Sequence, residues 1–173
     1  GITNAINLSD GMDGLAGSTS LITTAALAYF AYQGGDATVA LMGVCLISAT
    51  LGFLRYNTHP ARVFMGDTGS QFLGFSVAAL GIAVIERSNT AISPLVPLLV
   101  LAVPIVDTFF VMTKRIHAGR SPFSPDREHL HHKLLDGGFS QYEALLVVYV
   151  WLATLVFLAY WLRYAPDVAL ALA

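Results

Sequence analysis

The chain has 173 residues, of which 55% are apolar and only 12% charged, and its formal net charge is −2. Those proportions exclude an ordinary soluble domain, and a balance this close to neutral excludes the basic footprint of a nucleic-acid-binding protein. The single cysteine, Cys45, lies within an apolar run, which excludes a disulfide framework.

Five apolar runs follow one another: Leu15–Tyr32, Ala37–Leu54, Phe72–Ile85, Ala91–Met112 and Ala144–Leu162. Crossing the hydrocarbon core takes about 20 helical residues, with roughly 17–25 tolerated. Four runs meet that length directly, and the third meets it when counted from Thr68. The expected fold class is therefore all-α, a polytopic transmembrane helical bundle of about five spans. The expected spans are 15–32, 37–54, 68–85, 91–112 and 144–162, within a single membrane domain covering 1–173. The chain opens on a polar segment, Gly1-Ile2-Thr3-Asn4, with neither an initiator Met nor a signal peptide, and we expect it to be part of a longer protein.

Alternating the spans puts residues 1–14, 55–67 and 113–143 on one side of the bilayer. That side holds Arg55, Arg62, Lys114, Arg115, Arg120, Arg127 and Lys133, against Arg87 and Arg163 on the other. The positive-inside rule makes the first side cytoplasmic. Every polar cluster falls on that same face, which predicts a cytoplasmic site.

The first cluster runs from Asn4 through Asn7, Asp10 and Asp13 to Gly14. Its amide and carboxylate oxygens on a tight turn suit Mg²⁺. An EF-hand fails because Leu21 stands where a bidentate Glu is needed. The competing reading is an Asx-rich turn that ends in an Asp13 N-cap. Next, Arg55-Tyr56-Asn57-Thr58-His59-Pro60-Ala61-Arg62 leads into Phe64-Met65-Gly66-Asp67-Thr68-Gly69-Ser70. Arg55 and Arg62 read as headgroup anchors, and Pro60 favours extended backbone at His59. A Thr68–Gln71 capping box would start a helix, leaving Asp67 at its mouth, where phosphate and a hard cation are attracted. Asp67 acting as a plain N-cap is the alternative.

Asp107 lies within the fourth run, where an ionisable group is costly. It reads either as functional or as a fixture of the helix end against the cytoplasmic loops. The longest loop carries Arg127, His129, His131, His132 and Lys133 within seven residues. Zinc comes to mind for closely spaced His, but no Cys supports it and His-Glu-x-x-His is absent. Imidazoles beside Arg and Lys read better as donors to a diphosphate.

Three motifs in this order, Asn-x-x-Asn-x-x-Asp-Gly-x-Asp-Gly, Phe-Met-Gly-Asp-Thr-Gly-Ser and Ser-Pro-x-x-x-x-His-x-His-His, resemble those of one membrane family. It is the polyprenyl-phosphate N-acetylhexosamine-1-phosphate transferases, which include the translocase of peptidoglycan synthesis. The resemblance runs from Asn4 through the last span and looks like the family's C-terminal half, without its upstream Asp-Asp motif. It implies transfer of a sugar 1-phosphate from a UDP-N-acetylhexosamine to undecaprenyl phosphate, releasing UMP. It also implies a Mg²⁺ (or Mn²⁺) cofactor, a site at the cytoplasmic face of a bacterial inner membrane, and no role for nucleic acid; a homodimer is compatible with it. By that similarity Asp67, Asp10 and Asp13 are the catalytic residues, and Asp67 and Asn7 the metal ligands. Substrate binding falls to Asn4, Asp10, Asp13, Arg127, His129, His131 and His132.

Leu130 interrupts the three consecutive histidines typical of the peptidoglycan translocase. The resemblance therefore favours UDP-N-acetylglucosamine, and enzymes that initiate O-antigen or other cell-envelope polysaccharides, over the muramoyl-pentapeptide nucleotide. A cation transporter is the alternative of a different class. It would place ion sites on broken helices near the midplane, whereas here the polar residues sit in loops.

Overall fold

The computed structural model describes residues 1–87, 92–121 and 129–164. Those residues form eight helices, and no strand occurs among them. In chain order they are α1 (Ile2–Leu8), α2 (Leu15–Gln33), α3 (Ala37–Asn57), α4 (Gly66–Arg87), α5 (Leu95–Val100), α6 (Ala102–His117), α7 (Leu130–Asp136) and α8 (Gln141–Leu162).

Helix α2 is the centre of the bundle and touches α1, α3, α4, α5 and α8. Thirteen of its nineteen residues are buried, and most of those are Ala, Gly, Ser or Thr. Such small side chains let helix backbones approach closely. A β-carbon at Gly43 of α3 would lie 2.6 Å from Ala28 Cβ, so only glycine fits that crossing. The hydroxyls of Ser18 and Thr19 return to carbonyls one turn back in the same helix, so they carry no unmet polar demand into the packed interior.

Three helices among the described residues are long and apolar enough to cross a membrane, α3, α4 and α8, rather than five. The fourth expected run, 91–112, is divided at Leu101 into α5 and α6. Pro104 has no N–H to offer the Val100 carbonyl, and the Thr23 hydroxyl of α2 reaches that carbonyl instead, at 3.3 Å. The first run does form one helix, but its hydroxyl-rich sequence is enclosed by protein rather than turned outward. The third run forms a longer helix than expected, 22 residues from Gly66. The outer surfaces carry Met42, Phe72, Phe75, Phe109, Phe157 and Trp161, all exposed, a coat that water penalises and lipid does not.

Helix ends follow local chemistry. Asp36 caps α3 by accepting from Val39 N at 2.9 Å, and Arg87 Nε donates to the other oxygen of the same carboxylate at 2.7 Å. Ser140 and Glu143 form a reciprocal capping box at the start of α8.

Candidate functional site

Two expected local structures take a different form. The Asn4–Asn7 segment is helical, in α1, and only residues 9–14 turn. The Thr68 capping box does not start α4 either. The helix begins at Gly66, whose φ of +64° is open to glycine, so Asp67 and Thr68 lie inside the first turn. Asp67 is thus neither outside the helix mouth nor an N-cap; it is a first-turn carboxylate facing the positive end of the dipole.

Helix α1 brings Asn7 to this turn because its backbone lies directly on α4. A β-carbon at Gly74 would stand 2.7 Å from Thr3 Cα. Asn7 Nδ2 donates to Asp67 Oδ1 at 3.1 Å and to Ser70 Oγ at 2.8 Å. Ser70 spends its own proton on the Gly66 carbonyl at 3.0 Å, so it must accept from Asn7, which fixes the amide orientation. Only Oδ1 of Asn7 is then left for a cation. Asn4 sits one turn earlier on α1 and is exposed.

Asp10 follows α1 and is half-buried; its carboxyl is pushed up to about 6, first by burial and then by the negative charge of Asp67. Two mutually repelling carboxylates and an amide oxygen make an all-oxygen donor set. Mg²⁺ is commonly held by one or two carboxylates together with waters and substrate phosphates, so these residues fit it. Among the described residues, no group of three or more His, Cys, Asp or Glu side chains could hold a metal ion.

Asp13 is committed differently. Its Oδ2 pairs with His59 Nδ1 at 2.9 Å and accepts from Ala61 N at 3.1 Å. The His59 hydrogen bond, then the Ala61 N–H, holds this carboxyl below its usual range. The Tyr142 hydroxyl donates to the His59 carbonyl at 2.7 Å, joining α8 to the same loop. Asp13 therefore clasps the 58–61 loop to the turn that carries Asp10.

The histidines lie on and just before α7. His131 is 2% exposed, and a β-carbon on Gly11 would meet its Nε2 at 2.5 Å. Burial first, then the neighbouring His132 and His129, lowers its imidazole to about 4, so the ring is neutral. His129 is also buried, while His132 is partly open. The His129 and His131 rings are parallel within 10°, with centroids 5.9 Å apart, and His131 and His132 lie 4.2 Å apart. Arg127 lies outside the described residues. The expected residues that are described, Asn4 excepted, thus form one linked set. Ser70 and Gly11, which the motifs contain but to which no role was given, join it together with Tyr142. Ser70 also had a readable signal in its i+3 spacing from Asp67.

An all-helical bundle with a lipid-compatible coat, with carboxylates where α1 meets α4 and imidazoles of α7 against the turn that follows α1, defines a membrane protein with a built polar site. The glycosyl transferase family 4 model matches residues 1–85. The chain is 45% identical, over 87% of its length, to a probable undecaprenyl-phosphate N-acetylglucosaminyl 1-phosphate transferase of Bacillus subtilis, of which it covers 42%. It is 41% identical over 90% of its length to a decaprenyl-phosphate N-acetylglucosaminephosphotransferase of Mycolicibacterium smegmatis, covering 43% of that protein. With the undecaprenyl-phosphate alpha-N-acetylglucosaminyl 1-phosphate transferase of Escherichia coli it shares 33% identity over 95% of its length and 47% of the relative. Residues 1–85 are thus similar to glycosyl transferase family 4, and these relatives extend the similarity over most of the chain. It spans less than half the length of these relatives.

Proposed function

We propose that this chain is part of an enzyme that transfers N-acetylglucosamine 1-phosphate from UDP-N-acetylglucosamine to undecaprenyl phosphate, releasing UMP. The product would initiate a cell-envelope polysaccharide. The observation that carries this reading is the junction of Asn7, Asp67 and Asp10, in a chain whose relatives are named for that transfer. The site is read as cytoplasmic, because the basic residues accompany its loops.

Both reacting groups are phosphates, so the chemistry is chiefly positioning and charge compensation. When bound, Mg²⁺ supplies the positive charge that offsets phosphate–phosphate repulsion and stabilises the leaving nucleotide. Asp67, Asp10 and the Asn7 amide oxygen would hold it, with Ser70 and Asn7 fixing the direction of Asp67. Asp13 acts by keeping the 58–61 loop in place beside that turn. His132, the most open of these three neighbouring imidazoles, and Arg127 are assigned to the diphosphate, with His129 and His131 as the packed support behind. The lipid phosphate is already ionised at neutral pH, so direct attack needs no strong base.

The test is UMP release by the purified full-length protein from UDP-N-acetylglucosamine with undecaprenyl phosphate, before and after chelation. UMP that depends on both substrates, stops with chelator and returns with Mg²⁺ is the expected result. No UMP with this pair, but UMP from the muramoyl-pentapeptide nucleotide, would overturn the substrate assignment. Release untouched by chelation would overturn the metal.

A further inference from the structure

Helix α7 begins with no cap of its own, for the His129 side chain at its N-cap position makes no capping hydrogen bond. The partner comes from α6. Asp107 Oδ1 accepts from Leu130 N at 2.7 Å, while Oδ2 pairs with His129 Nδ1 at 2.8 Å. Both side chains are withdrawn from solvent, at 11% and 7% exposure, where an unmatched carboxylate is costly. A helix cap alone does not require an acid, because an Asn or Ser oxygen satisfies a backbone N–H equally well. The carboxylate differs from those in one respect: it only accepts, so the imidazole nitrogen facing it must carry a proton. His129 is in turn parallel to His131, and His131 lies against both His132 and Gly11. The chain of contacts runs from α6 through His129 and His131 to the turn that bears Asp10, with His132 packed beside His131.

We propose that Asp107 is the positioning residue for the histidines of α7, holding His129 with Nδ1 protonated and through it setting the ring stack against the Asp10 turn. The activity readout rests on the transfer reaction proposed above; the structural readout does not. Asp107→Asn separates the two jobs of the carboxylate. The Asn oxygen still caps Leu130, but its NH₂ faces His129 and forces Nδ1 to become the acceptor. An Asp that orients an imidazole elsewhere acts in the same way, and outer partners of this kind typically contribute ~10- to 100-fold.

The experiment uses the full-length protein labelled with ¹⁵N-histidine, with the His129 signals assigned by their loss in His129→Gln. Ring nitrogen shifts report which nitrogen is protonated, and turnover is measured in Asp107→Asn, His129→Gln and the double variant. Expected are a protonated Nδ1 in the parent, an unprotonated Nδ1 in Asp107→Asn, and unchanged thermal stability. Asp107→Asn turnover should fall at least ~10-fold, and the double variant should be no slower than His129→Gln alone. An unprotonated Nδ1 in the parent overturns the proposal. So does a loss from Asp107→Asn that is equally large in the His129→Gln background. If Asp107→Asn unfolds, Asp107→Glu in the labelled protein decides: loss of Nδ1 protonation there overturns the proposal and its retention supports it. Absence of transferase activity in the parent, with the expected nitrogen shifts, refutes the transfer reading while leaving the Asp107–His129 assignment standing.

Discussion

Gly11 and His131 touch so closely that a β-carbon at residue 11 would lie 2.5 Å from the ring Nε2. His131 is held from behind by two other imidazoles and has almost no exposed surface. Moving the ring away from residue 11 would disturb its packing against the other two imidazoles. Gly11→Ala should therefore cost about 1–3 kcal/mol of stability by overpacking, read as a lowered thermal midpoint in detergent. An unchanged midpoint would mean that the ring moves freely.

The same histidine gives a pH dependence of defined sign. Its folded-state value is lowered to about 4, against an ordinary 6.5, because burial disfavours the charged ring. Between those values the unfolded chain binds a proton that the folded chain refuses. This contribution to stability is therefore present above pH ~6.5 and lost as pH falls towards ~4, with no further change below. His131→Asn should show a shallower fall of thermal midpoint over that window. Equal slopes in the two proteins would show that His131 takes up its proton without unfolding.

Asp67→Asn keeps the first-turn position and the hydrogen bond from Asn7, but removes the charge. A structural role would barely register the change. A metal-holding role predicts a loss of roughly 10²-fold or more in UMP release at normal thermal stability, only partly restored by raised Mg²⁺. Unchanged turnover would remove Asp67 from the chemistry.

Gly74 lets α1 lie on α4, with Thr3 Cα 2.7 Å from the place of a missing β-carbon. Backbone cannot yield as a flexible side chain does. Gly74→Ala should push α1 outward, cost about 1–3 kcal/mol, and weaken the Asn7–Asp67 bond along with turnover. Gly52→Ala, with nothing within 4 Å of its added carbon, is the control and should be neutral or slightly stabilising. Equal behaviour of the two variants would show that the α1–α4 contact is not needed.

The apolar runs, the charge asymmetry and the three motifs were legible without coordinates. Each depends on residue type and spacing alone, and an all-helical class follows from run length in a medium that forbids unpaired backbone. The family and the polar loops were readable for the same reason. Helix boundaries were less so. Gly66 starts α4 two residues before the Thr68 box because a left-handed entry competes with capping, and no local pattern weighs the two. At the division by Leu101, Thr23 takes the Val100 carbonyl that Pro104 leaves open, from 77 positions away. Which polar residues meet was decided by tertiary packing. Asp13 reads like Asp10 in the sequence, yet it is spent on His59 and Ala61, while Asp10 is left facing Asp67. His131 reads like His132, yet only His132 keeps an open edge. Spacing along a chain sets which side chains are neighbours on one element. The direction in which elements cross, governed here by glycines at 43 and 74, sets which of those side chains share a site.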